Sequence, residues 1–127
     1  MSTVLIVDDS HTLRQMIAEI LQSNGLVVIE AINGVEAKGK IQSEAPDLVI
    51  TDLIMPLMNG YELCRWIKTD PHTQNIPVLM CSTKSEEFDR YWGMKQGADA
   101  YMTKPFHPQD LVKAVKQLLK TRGKLLS

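Results

Sequence analysis

Cysteine is scarce in this chain. Only Cys64 and Cys81 occur among 127 residues, far apart and with no CxxC pair or Cys/His cluster. That excludes a disulfide framework and a zinc site, and both read as buried free thiols of a reducing compartment. Charge of one sign is also lacking. Fourteen Lys plus Arg face fifteen Asp plus Glu, a net charge of −1. Such a balance argues against a nucleic-acid binder working through bulk electrostatics. No apolar run approaches the roughly eighteen residues a membrane span needs. Met1-Ser2-Thr3 leads straight into a strand-like run with no basic segment before it, so a secretory signal is not expected. No repeat or low-complexity tract interrupts the sequence. What is present is the composition of an ordinary globular protein, 44% hydrophobic and 23% charged. The length suits one domain with a core of its own, expected in the cytoplasm as a single copy.

Two kinds of segment alternate along the chain. Short apolar, β-branched-rich runs are Val4–Val7, Leu26–Ile29, Leu48–Thr51, Val78–Cys81 and Ala100–Thr103. Consecutive apolar residues suit strands covered on both faces, as in a parallel sheet. Helical periodicity fills the gaps. Leu13, Met16, Ile17, Ile20 and Leu21 form the stripe of a first helix, with Ser10 as its N-cap and Asn24-Gly25 at its end. Ala37 and Ile41 give a faint second stripe, weakened by Gly39. Leu63, Cys64 and Ile67 mark a third helix after Asn59-Gly60, and Phe88 and Trp92 a fourth that stops near Gly97. Leu111, Val112, Val115, Leu118 and Leu119 mark the last, with Pro108 near its start and Gly123 past its end. Five βα units in strict alternation predict a doubly wound α/β fold.

Open α/β sheets bind ligands beyond the carboxyl ends of their strands. The residues ending each apolar run are therefore the ones to read. Strand one delivers Asp8-Asp9, strand three Asp52, strand four Ser82 and strand five Lys104-Pro105, while Glu30-Ala31 of strand two adds little. Taken singly, each is unremarkable. The acids favour a helix N-terminus, Asp52 suits an Asx turn, Ser82 caps a helix, and Lys104 is a loop lysine. Together they put three carboxylates, a hydroxyl and an ammonium on one rim. Clustered carboxylates repel each other unless a cation intervenes, and oxygen ligands of this kind suit Mg²⁺. A lysine and a hydroxyl beyond the metal complete a cage for a tetrahedral dianion. Phosphoryl transfer needs mainly positioning and charge stabilisation, and a carboxylate can be its acceptor.

The residues Val4-Leu5-Ile6-Val7-Asp8-Asp9-Ser10, Asp47 to Asp52 with Met55-Pro56 and Gly60, Ile76-Pro77-Val78 leading to Ser82, Gly97-Ala98-Asp99 and Lys104-Pro105-Phe106 carry a resemblance. In their order and spacing the chain resembles the receiver domains of two-component response regulators, the CheY-like family, over essentially its whole length. The resemblance implies a five-stranded parallel sheet in order 2-1-3-4-5 and a single receiver domain over residues 1–127 with no output domain. It implies that Asp52 accepts a phosphoryl group from a histidine kinase or phosphotransfer protein. Asp9, Asp52 and the Ile54 carbonyl would hold Mg²⁺, with Asp8 assisting through water. Lys104 would contact the phosphoryl group, Ser82 would move toward it, and Tyr101 would be the switch aromatic. Lys104-Pro105 is expected to be cis. The output is expected in trans, through a partner on the face of the fourth helix, fifth strand and fifth helix, with motility control a natural setting and phosphorelay service equally compatible.

Three positions depart from the family pattern. Thr83 follows the switch hydroxyl where a smaller residue is usual, and its bulk narrows the path to Asp52. Ile54 cannot hydrogen-bond an attacking water, and Lys84 can pair with phosphoryl oxygens or simply begin a helix at the surface. Slow self-dephosphorylation is the expectation. Two rival classes remain to be weighed. An aspartate-nucleophile phosphatase would carry a second acid two residues after Asp52, where Ile54 stands, and would need a cap. A phosphate-independent binding module would ordinarily have lost the acid pair or the lysine, and both are present. His11, His72 and His107 lie on separate segments with no ligand spacing, and the short tail of Lys120, Arg122 and Lys124 complements a helix dipole.

Overall fold

All five apolar runs pair in parallel into one sheet of order β2-β1-β3-β4-β5 in this computed structural model. The strands are β1 (Thr3–Val7), β2 (Val27–Ala31), β3 (Leu48–Thr51), β4 (Val78–Ser82) and β5 (Ala100–Thr103). The helices are α1 (His11–Gln22), α2 (Gly34–Glu44), α3 (Gly60–Thr69), α4 (Glu87–Lys95) and α5 (Pro108–Leu126). Residues 1–126 are described, with side chains as far as Thr121. Alternation along the strands sends side chains to two cores. Leu5, Val7, Val49 and Met80 pack with Ala37, Ile41, Leu63, Cys64 and Ile67 of α2 and α3. Val4, Ile6, Ile50, Leu79 and Cys81 pack with Ile17, Leu21, Leu111 and Val115 of α1 and α5. The three central strands are buried almost throughout, whereas β2 and β5, at the edges, are mostly half-buried. Both cysteines are buried free thiols. Among the described residues, no helix is long and apolar enough to cross a membrane.

Several sequence expectations are adjusted. β2 starts one residue later than the apolar run and continues through Glu30 and Ala31, because pairing with β1 runs to Val7↔Ala31. β4 likewise includes Ser82, which pairs with Thr103. Met16 is 43% exposed and lies outside the α1 stripe, whose buried residues are Arg14, Ile17, Ala18 and Leu21. That i, i+3, i+4, i+7 set is rotated so that an arginine, not a methionine, enters the interior. α1 ends at Gln22, and Gly25 follows with φ +82° in the turn. α2 forms despite Gly39 because Asn33 caps it and Ala37 and Ile41 reach the core. α5 runs through Gly123 instead of ending before it. The side chains of Arg122 and Lys124 lie outside the described residues.

Register fixes the site. Val7 pairs with Thr51, so Asp8 and Asp52 leave adjacent strands together. The Asp52 N–H donates to the Val7 carbonyl at 3.0 Å, and the Asp8 N–H to Ala31 O at 3.1 Å.

Candidate functional site

Asp8, Asp9 and Asp52 converge beyond the carboxyl ends of β1 and β3. One carboxylate oxygen from each lies within 4.8 Å of the others. Asp8 is 3% exposed, yet both of its oxygens are satisfied. Oδ1 accepts from the Ser10 N–H at 2.8 Å, and Oδ2 accepts from Lys104 Nζ at 2.8 Å. Asp52 is half-buried. Its Oδ1 accepts from the Leu53 N–H at 2.6 Å, and its Oδ2 lies 3.3 Å from Lys104 Nζ. Asp9 is exposed, and its carboxylate has no partner among the described residues. The donor set is all oxygen and all anionic, which fits a small hard cation such as Mg²⁺. Asp9 is open to such an ion, Asp52 would reach it with its longer 3.3 Å contact to Lys104 loosened, and Asp8, the most deeply buried of the three, is suited to act through water.

Lys104 supplies the opposing charge. It leaves β5 at the cis Lys104–Pro105 peptide, and its N–H donates to Ser82 O at 2.8 Å. Burial pulls its ammonium down in pKa, but the hydrogen bond it donates to Asp8 and the charges of Asp52 and Asp8 outweigh that, so it lies above the ordinary lysine value. Lys104 is thus cationic at neutral pH and sits between Asp8 and Asp52.

Ser82 is fully buried at the end of β4. Its Oγ accepts from the Lys84 N–H at 3.2 Å, and the Tyr101 hydroxyl donates to the Lys84 carbonyl at 2.6 Å. The backbone of Lys84 therefore touches both expected switch residues. Ser82 does not cap α4; the cap residue is Glu86, whose N–H donates to Asp89 Oδ2 at 3.2 Å. Burial first, then the Asp89 charge, pushes the Tyr101 hydroxyl up to about 12. Thr83 and Lys84 are exposed, and Ile54 is 57% exposed beside the site.

The loop from β3 to α3 is tightly drawn. Met58 N–H donates back to Pro56 O at 2.8 Å, which places Leu57 at φ +70°. Such a φ is strained for a leucine. Gly60 N–H closes on Leu53 O at 2.8 Å, so α3 begins directly against the loop that follows Asp52.

Sequence reasoning missed one element of the site. Arg14, 9% exposed, donates through NH1 to the Asp8 carbonyl at 2.7 Å and through Nε to Glu30 Oε1 at 3.1 Å. Lys40 Nζ in turn donates to the Glu30 carbonyl. Strand two, expected to add little, thus anchors the arginine that steadies the acid pair. The available signal was a basic residue on the buried stripe of α1, three residues before Ile17.

Residues 4–116 match the response regulator receiver domain family. The chain belongs to that family. It is similar to Protein PilH of Pseudomonas aeruginosa, 38% identical over 94% of this chain and 98% of that protein. It is also similar to the phosphate regulon transcriptional regulatory protein PhoB of the same organism, 41% identical over 95% of this chain. The chain spans 53% of that relative's length. Among solved structures, the chemotaxis protein CheY4 of Vibrio cholerae superposes with a TM-score of 0.88 at 35% identity, covering 93% of this chain and 98% of that one. The receiver fold, its strand order and membership in two-component signalling are therefore established. Receiver domains are phosphoacceptor switches, typically with Mg²⁺ at an acidic cluster such as Asp8, Asp9 and Asp52.

Proposed function

We propose that this receiver takes a phosphoryl group onto Asp52 from the phosphohistidine of a histidine kinase or phosphotransfer protein. An Asp52 carboxylate oxygen bonds to phosphorus as the P–N bond breaks, and the imidazole leaves and recovers a proton. The observation that carries the reading is Lys104, an ammonium within 3.3 Å of both Asp8 and Asp52 at the mouth of the sheet. It is placed to accompany the incoming dianion without carrying out chemistry itself. Asp9, Asp52 and the Ile54 carbonyl would hold Mg²⁺, and Asp8 would reach it through water. Bound there, Mg²⁺ neutralises the carboxylates and the phosphoryl oxygens together. The domain catalyses only its own phosphorylation and dephosphorylation.

Three new acceptor oxygens on Asp52 draw Ser82 and Lys104 toward them. Movement of the Ser82 hydroxyl away from the Lys84 N–H disturbs the segment that holds Tyr101. Phosphorylation thereby biases two arrangements of that segment by its differential affinity for them. The face of α4, β5 and α5 carries the result to a protein partner in trans. With near-neutral charge, nucleic acid is not the target. The likeness to the chemotaxis protein CheY4 favours a motility setting.

The test is intact mass after incubation with Mg²⁺ and either acetyl phosphate or a histidine kinase. One added phosphoryl group, abolished by Asp52→Asn, supports the reading. No uptake from any donor means a phosphate-independent binding module. Phosphate release over many turnovers of a free substrate means an enzyme.

A further inference from the structure

Of the three acids, Asp9 has the least of its own to hold it. Asp8 is tied through both carboxylate oxygens, and one oxygen of Asp52 is held by the Leu53 N–H. The Asp9 carboxylate is exposed and bonded to nothing among the described residues. Its direction is therefore set by the backbone from which it hangs. That backbone begins with the planar peptide joining Asp8 to Asp9, which carries the Asp8 carbonyl on one edge and the Asp9 N–H on the other. Strand pairing does not reach this unit. The register of β1 with β2 ends at Val7↔Ala31, and the Asp8 N–H takes the last bond, to Ala31 O. The Asp8 carbonyl is taken instead by a side chain, Arg14 Nη1, at 2.7 Å.

Arg14 is itself held from several sides. It is nine-tenths buried, and each guanidinium nitrogen has a neighbour. Nε donates to Glu30 Oε1 at 3.1 Å, and Nη2 lies 3.5 Å from His11 Nδ1. Alternation along β2 puts Glu30 on the face of Val28, which packs against the core under α1. Because the guanidinium is a rigid planar fork, fixing Nε on Glu30 also fixes where Nη1 points. A lysine has one nitrogen and can serve the carbonyl or the carboxylate, not both. On charge alone, a cation this near the acids opposes a bound divalent ion, so removing it would tighten binding. On geometry, removing it frees the Asp8–Asp9 peptide and would loosen binding. The two effects have opposite signs.

We infer that Arg14 is a positioning residue for Asp9, fixing the Asp8–Asp9 peptide so that the Asp9 carboxylate is already aimed at Mg²⁺, with Glu30 holding the arginine in place. The inference rests on Asp9 as a Mg²⁺ ligand and is independent of whether Asp52 is phosphorylated. Losing a partner that orients a metal ligand costs about 10–100-fold in affinity. The opposing charge effect is the smaller one, because Asp9 is exposed and salt and water screen it. The helix α1 thus contributes to the metal site from its second turn, without touching the ion.

The test is Mg²⁺ alone, titrated into the unphosphorylated chain and followed through backbone amide shifts by NMR, with thermal melts in chelator confirming that each variant is folded. Arg14→Met should raise the Mg²⁺ dissociation constant about tenfold. Arg14→Lys keeps the charge and loses the fork, and should raise it about threefold. If Arg14 acts through Asp9, the two changes are not additive. In an Asp9→Asn background, already weaker, Arg14→Met should then add no more than about twofold. An Arg14→Met chain that binds Mg²⁺ as well as the parent or better overturns the inference, as does Arg14→Lys at parity with the parent. A full tenfold effect in the Asp9→Asn background overturns it too, since Arg14 would then act elsewhere. A parent chain that takes up no Mg²⁺ overturns the metal assignment and this inference with it, whereas phosphorylation failing while Mg²⁺ binding behaves as expected overturns the proposed function alone.

Discussion

The closest approach of backbone to a glycine among the described residues gives the sharpest prediction. A Cβ placed on Gly60 would sit 2.3 Å from the Asp52 carbonyl oxygen and 2.9 Å from Leu53 Cα. Both neighbours are backbone, so no side chain can rotate out of the way. Gly60→Ala must push α3 away from the acceptor loop. Overpacking of this kind costs roughly 1–3 kcal/mol. The bond from Gly60 N–H to Leu53 O weakens as well, at a cost of about 1 kcal/mol. Against these stands a helix-propensity gain of about 0.5–1 kcal/mol. The net is a loss of about 1–3 kcal/mol, read as a lower urea midpoint with an unchanged slope. The same change at Gly39, in mid-α2 with nothing within 4 Å of the new Cβ, should raise stability by about 0.5–1 kcal/mol. One substitution, two opposite signs, decided by what the methyl group meets. Phosphorylation assayed in parallel should slow for Gly60→Ala and stay unchanged for Gly39→Ala. If Gly60→Ala is as stable as the parent protein, the inference from close approach to strain is refuted.

Lys104→Met leaves Asp8 buried with only the Ser10 N–H facing its carboxylate, so stability should fall by about 2–4 kcal/mol in the absence of Mg²⁺. Millimolar Mg²⁺ should recover part of that loss in chemical denaturation, and no recovery would count against a cation site between the acids. Burial pushes both the Cys64 and Cys81 thiols up to about 12, whereas thiols of the unfolded chain ionise near 9.0. The unfolded state then binds fewer protons across that window, so stability falls as pH rises from 9 toward 12, and a urea midpoint that holds steady would contradict it. Ile54→Asn puts a hydrogen-bonding group where a water approaches Asp52, and release of the phosphoryl group should accelerate several-fold. An unchanged hydrolysis rate, measured by loss of the added mass, would remove Ile54 as the brake.

The fold was legible wherever burial is two-sided. Runs such as Val4–Val7 and Leu48–Thr51 are apolar on consecutive residues because helices cover both faces, and their boundaries carried over almost unchanged. Edge strand β2 was misplaced by a residue or two, since its pairing partner β1 sets its span and its own side chains are only partly buried. Asp8, Asp52, Ser82 and Lys104 were legible as site residues because each follows an apolar run directly. Arg14 was not, because its role depends on Glu30 and the Asp8 carbonyl, groups that only the assembled sheet brings to it. The direction of the α4 aromatics was equally hidden. Helical spacing shows that Phe88 and Trp92 share a face, but only the burial of Gly93 shows that the face is the outer one.

The Lys104–Asp8 contact joins residues 96 positions apart in the chain. Between them lie β2, β3, β4 and β5, so the contact has one of the largest loop-closure demands the chain can make. Before β5 docks on β4, the three carboxylates have no ammonium beside them and Ser82 has not bonded the Lys104 N–H. An emerging or truncated polypeptide therefore carries Asp52 without Lys104 beside it. On the function proposed above, competence belongs to the finished molecule, and a half-made copy would not answer for it.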